Sequence, residues 1–146
     1  MKLLVAVDLS EATQIIVDKV MELCRTQASK IWILHNAEPP PDVIEFKVDP
    51  LAARKSLAIK FHKEHGQIQE IADRLREADL DATALLVHGP TVETILKEAS
   101  DLDVDMIVVG AHGKGAMHEL LVGSVSKGIL HKSNYPVLVI PTHRHR

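Results

Sequence analysis

The segment GAHGKGAMHELLVGSVS, residues 110–126, concentrates the residue types that hold an anion. Gly110 closes an apolar run, Gly113 and Gly115 follow, and Gly123 and Ser124 stand just before a helical pattern. Glycine lets backbone amides come close to a phosphate. A helix start adds unpaired amides and partial positive charge. Ser124 and Ser126 place hydroxyls at that same start. Any one of these glycines could merely shape a turn. Four of them with two serines, between a strand end and a helix start, favour a phosphate site that needs no catalytic side chain.

Such a loop must be presented by a strand and a helix, and the sequence supplies both throughout. Leu3–Asp8 is a continuous apolar run, as a strand buried on both faces requires. Ser10 can cap the helix that follows, whose inner face reads as Ile16, Val20, Leu23 and Gln27, with Cys24 beside it. Ile31–Asn36 is the second strand. Residues 38–50, with three consecutive prolines, read as an exposed loop. A long helix is then expected, with Leu51, Ala58, Phe61, Ile68, Ala72 and Leu75 facing inward and Gly66 as a weak point. Ala82–His88, Met106–Gly110 and Val137–Ile140 are the remaining strands, separated by helices from Thr91 and near Ser124–Lys132. Five strands alternating with helices predict an α/β fold: one domain, 1–146, with an open five-stranded parallel sheet and helices on both faces. In such sheets ligands sit beyond the carboxyl ends of the strands. Asp8 ends the first strand, where its carboxylate could accept hydrogen bonds from ribose hydroxyls or an adenine amine, or cap the turn into the first helix.

The spacing Gly110, two residues, Gly113, nine residues, Gly123, Ser124 resembles the nucleotide-binding subgroup of the universal stress protein family. The start LLVAVDLSE, the second-strand end ILHN and the last strand after Asn134-Tyr135-Pro136 resemble it too, so the likeness spans nearly the whole chain. It implies a Rossmann-like fold of the adenine nucleotide alpha hydrolase type and an adenine nucleotide as ligand: ATP, or ADP or AMP, with Mg2+ as an accompanying ion. On that resemblance Ala6, Val7 and Asp8 contact the adenosine part, and Asn36 lies near adenine. Val109, Gly110, His112 and Gly113 flank ribose and phosphates, and Gly123, Ser124, Val125 and Ser126 cradle the phosphate chain. The resemblance also implies a regulatory, stress-response role exercised on a protein partner. Its sheet order puts Val137–Ile140 at an edge, and an apolar edge strand suits pairing into a homodimer.

The composition narrows the alternatives. The net charge of −3 and 3% aromatic residues argue against nucleic acid as a partner. No apolar run reaches the roughly 18–20 residues of a membrane span, and Cys24 stands alone, so a cytoplasmic location is expected. Lys114 suggests a Walker loop, but that motif needs Ser or Thr after the lysine, and Gly115 stands there. His62 and His65 lack a third metal ligand nearby, and His112 and His118 lack an orienting carboxylate. His35, His131 and Cys24 read as structural, and the basic residues from Arg54 to Lys63 as a solvated helix face. No catalytic or metal-binding residue is assigned. The alternative is a slow ATPase or nucleotidyl-transfer enzyme on the same fold. A dinucleotide dehydrogenase fits poorly, because Leu9 and Ser10 occupy the turn where its glycines belong.

Overall fold

The computed structural model describes residues 1–27, 29–37, 50–111 and 123–142. Their elements run β1 (Lys2–Val7), α1 (Ala12–Leu23), β2 (Lys30–Asn36), α2 (Pro50–Glu77), β3 (Asp81–Val87), α3 (Thr91–Asp101), β4 (Met106–Gly110), α4 (Ser124–Lys132) and β5 (Val137–Ile140). The strands form one parallel sheet in the order β3-β2-β1-β4-β5. β1 is therefore central, and the order reverses between β1 and β4. The α/β class expected from the alternating pattern is the one observed.

Alternation along the strands divides the interior. Leu3, Val5, Val7, Ile31 and Ile33 face one side, under Ile16, Val17 and Val20 of α1 and Ile68, Ala72 and Leu75 of α2. Leu4, Trp32, Leu34, Ile107 and Val109 face the other, under Ile95 and Ala99 of α3 and Ile129 of α4. Each full burial of such an aliphatic chain is worth about 1.5–3 kcal/mol. On this second side Gly128 of α4 lies so close to α3 that a Cβ there would stand 2.7 Å from Val92 Cγ2. Lys132 of α4 reaches Glu93 of α3 at 3.0 Å. Glu93's own backbone N–H and then Lys132 hold its carboxyl below the usual range. Both side chains are exposed, so the pair contributes little.

Two expectations about helix faces change, and one about a helix start. Leu23 is half exposed to solvent, and the buried stripe of α1 runs instead through Thr13, Ile16, Val17, Val20 and Cys24. Both Leu23 and Cys24 continue the spacing from Val20, and the sheet takes Cys24. In α2, Leu51 and Ala58 are exposed, so the inward face begins only near Phe61. The loop assigned to 38–50 ends a residue early, because Pro50 opens α2. Proline suits a first helical turn, where its missing N–H would have no partner. Residues 38–49 lie outside the described residues. The helix runs unbroken through Gly66. No helix among the described residues is long and apolar enough to cross a membrane.

Candidate functional site

At the reversal of strand order the carboxyl ends of β1 and β4 lie side by side, with the first turn of α4 close to β4. The β1 end carries Ala6, Val7 and Asp8. Ala6 packs on the second core and Val7 on the first, so Asp8 is the first polar group beyond the sheet. Asp8 Oδ1 accepts the Ser10 N–H at 2.9 Å, and Ser10 Oγ accepts the Ala12 N–H at 3.3 Å. The carboxylate thus shapes the turn into α1. Leu9, between them, has φ 60, a left-handed conformation unusual without glycine. Its side chain packs on the first core, which offsets the strain.

The β4 end is joined to α4 by two short hydrogen bonds. The Gly123 N–H donates to the Ala111 carbonyl at 2.6 Å. The Ser126 hydroxyl donates to the Gly110 carbonyl, also at 2.6 Å, and Ser126 is buried. The proton of Ser126 Oγ, offered to phosphate on the sequence reading, is thus directed at the strand. Ser124 is exposed at the helix start, while Val125 packs on the second core. Gly123 bounds the helix with φ −57 and ψ 160, a conformation open to any residue. Its lack of a side chain is therefore not demanded by backbone geometry. The amides of Ser124, Val125 and Ser126 fall in the first turn, which has no intrahelical acceptors for them. Together with the aligned peptide dipoles they make a receptor for negative charge.

Val109 is buried and Gly110 half-buried. A Cβ on Gly110 would stand 2.8 Å from Ile16 Cδ1, so this glycine admits α1 against the end of β4. His112 and Gly113, also assigned to the site by sequence, lie outside the described residues, as do Lys114, Gly115 and His118. Among the described residues no three His, Cys, Asp or Glu side chains gather as metal ligands. A hollow of about 440 Å³ lined by Glu11, Ala12, Gln14, Ile15 and Thr142 opens beside α1. Neither Asp8 nor the α4 first turn is among its lining residues, but Thr142 borders it and would stand 3.2 Å from a Cβ on Gly110.

Asn36, at the end of β2, is buried. Its Nδ2 donates to the Gly89 carbonyl and to Thr91 Oγ1, each at 3.0 Å. Gly89 turns the chain from β3 into α3 with φ 140. A Cβ there would meet Thr94 Oγ1 at 2.7 Å as well as an unfavourable backbone. Beside Asn36, His35 points to the other face. Its Nδ1 lies 3.0 Å from the Val7 carbonyl and its Nε2 3.1 Å from Glu64 Oε2 of α2. A carbonyl can only accept, so Nδ1 carries a hydrogen. The pair is almost wholly enclosed, with side chains 9% and 14% exposed, and Lys60 stands 3.6 Å from the other Glu64 oxygen. His35 is structural, as expected.

From the sequence Gly89 and Thr91 read only as a turn into a helix and Glu64 only as part of a solvated charged face; the structure instead encloses Glu64 against His35. Glu64 left a trace, since it sits three residues after Phe61 and four before Ile68, on the apolar stripe itself. A carboxylate there signals a buried partner.

The chain matches the model of the universal stress protein family over residues 1–141. It is 28% identical to Universal stress protein MJ0577 of Methanocaldococcus jannaschii, covering 95% of this chain and 93% of that protein. The solved structure of MJ0577 superposes with a TM-score of 0.84 at 26% identity, over 99% of this chain and 97% of that one. Two more distant structures share the fold. One, a universal stress protein in complex with cAMP, has a TM-score of 0.66 at 22% identity, over 98% of both chains. The other, from Archaeoglobus fulgidus in complex with dAMP, has a TM-score of 0.62 at 19% identity, over 96% of this chain and 97% of that one.

Proposed function

The chain belongs to the universal stress protein family, and from that premise we propose that it binds an adenine nucleotide, ATP foremost, as a regulatory ligand. The observation that carries this reading is the first turn of α4, whose amides have no acceptor among the described residues, set against the end of β4 where the strand order reverses. Phosphates would lie on the amides of Ser124–Ser126, and the adenosine part would extend over the ends of β1 and β2. The cAMP and dAMP complexes of the two more distant proteins support an adenine base in this fold. Mg2+ would accompany the phosphates. Occupancy would be read by a protein partner in the cytoplasm, a setting that suits the lone buried thiol of Cys24.

Ser124→Ala tests the phosphate cradle. A hydrogen bond to a charged acceptor is worth ~1.5–3 kcal/mol. ATP affinity is expected to fall by that amount in calorimetry while adenosine affinity is unchanged. Equal losses for both ligands would mean that Ser124 supports the fold and not the phosphate.

We also propose a homodimer through β5. Among the described residues this strand pairs with β4 alone, and Val137, Leu138 and Val139 are only partly buried. An exposed apolar edge is a template for a second copy. Light scattering at micromolar concentration should give twice the 16.1 kDa chain mass. A monomer mass, with or without ATP, would rule the dimer out.

A further inference from the structure

The outer face of α2 carries two blocks of opposite charge. Lys55, Ile59, His62, Gly66, Glu70, Asp73 and Glu77 follow one another at steps of three and four, which places them on one side of the helix. All of them are exposed, while Ile68, Ala72 and Leu75 on the opposite side are buried in the first core. Among the described residues Lys55, Lys63, Glu70 and Glu77 make no ion pair. Asp73 is held by Arg76 at 2.8 Å. Ile59 is 71% exposed. Between the blocks stands Gly66, where a Cβ would meet nothing within 4 Å. Packing inside the chain therefore gives no reason for a residue that weakens a helix interior. The face is also symmetric in its spacing. Lys55 and Glu77 lie equally far before and after Gly66, as do His62 and Glu70, and Ile59 and Asp73.

We propose that this face docks a second copy of the chain, the two α2 helices lying antiparallel with Gly66 at the centre. A two-fold axis there sets Lys55 of each copy against Glu77 of the other, and His62 against Glu70. Ile59 comes to rest on the Asp73–Arg76 pair, where the arginine stem offers apolar surface. Gly66 lets the two backbones approach closely. A parallel pair would set base against base and acid against acid. The contact is distinct from the β5 pairing proposed above, since α2 packs over β2 and β3 and β5 is the far edge of the sheet. Its charges are exposed, so the association is weak and sensitive to salt.

Sedimentation velocity of the full chain tests this. In dilute buffer the mass at submillimolar concentration is expected to be at least twice that at low micromolar, whether or not the β5 pair forms. The gain should be lost in about 1 M salt, where the Debye length is about 3 Å. Lys55→Glu and Glu77→Lys, each checked for folding by circular dichroism, should each weaken the association about tenfold, because the axis spoils two contacts at once. An equimolar mixture of these two variants should regain it, since one chain carries acid at both positions and the other base at both. Gly66→Gln, which improves the helix and keeps the charges, should stay folded and lose the association as well. A wild-type mass that does not grow with concentration overturns the proposal. So does association at wild-type strength in either charge variant or in Gly66→Gln, and so does a mixture no heavier than its parts.

Discussion

Gly123→Val is expected to weaken ATP binding by about 2 kcal/mol or more, roughly thirtyfold, while the protein stays folded. Two observations make the folded state tolerant. The residue has φ −57 and ψ 160, which valine adopts without strain. Its N–H donates to the Ala111 carbonyl, a bond that any residue but proline retains. Glycine is a fair helix N-cap and valine a poor one, so a cost of up to about 1 kcal/mol in stability is expected. The loss in affinity has a different origin. A branched side chain at the helix start would crowd the approach of a phosphate to the amides of Ser124, Val125 and Ser126. Calorimetry with ATP, paired with circular dichroism, separates the two effects. A folded variant with wild-type affinity would remove the α4 first turn from the binding model.

Glu64→Ala is expected to cost about 3 kcal/mol of folding stability, the usual consequence of taking one partner from an enclosed pair. For a chain of this length that corresponds to a melting point lower by about 6–12 °C. The argument runs through His35. Its Nδ1 is committed to the Val7 carbonyl and its Nε2 to Glu64. With Glu64 gone, Nε2 loses its partner on a side chain only 9% exposed. Glu64→Gln keeps an acceptor oxygen of the same shape and should recover more than half of the loss. Urea unfolding of the three proteins gives the comparison. Equal stability of Glu64→Ala and wild type would show that the pair contributes nothing net. Should Glu64→Gln be as damaged as Glu64→Ala, the charge and not the hydrogen bond would be what matters. The pair also bears on the site, because Val7 precedes Asp8 and holding its carbonyl stiffens the end of β1.

How much could be read in advance follows from which interactions are local in sequence. The bounds of β4, α4 and β5 were legible because each is a compact apolar or helical block between clear stops: Asp105 before Met106, Gly123 before Ser124, Pro136 before Val137. The phase of α1 was not. Leu23 and Cys24 both continue a helical stripe from Val20, and the sheet lying over them decides between the two. Polar contacts across the fold were hardest to foresee. Ser126 looked like a free hydroxyl at a helix start, yet the Gly110 carbonyl that takes its proton is 16 residues back. Asn36 finds its partners 53 and 55 residues on, and Glu64 lies 29 from His35. Local periodicity reports which side of an element is apolar, and carries no record of the group opposite.

The central position of β1 bears on how the chain is made. Synthesis delivers β1 first, and β2 and β3 can add to one of its edges as they appear, each beside its predecessor. The other edge belongs to β4, whose flanking Asp105 exchanges hydrogen bonds with Lys2 across 103 positions. Until those residues have been polymerised, the middle of the future sheet has a row of amides and carbonyls with no partner strand. That interval is when a nascent chain of this topology is most exposed to pairing with the wrong neighbour. The β1 strand, innermost in the finished protein, is for most of its biosynthesis the border of an unfinished one.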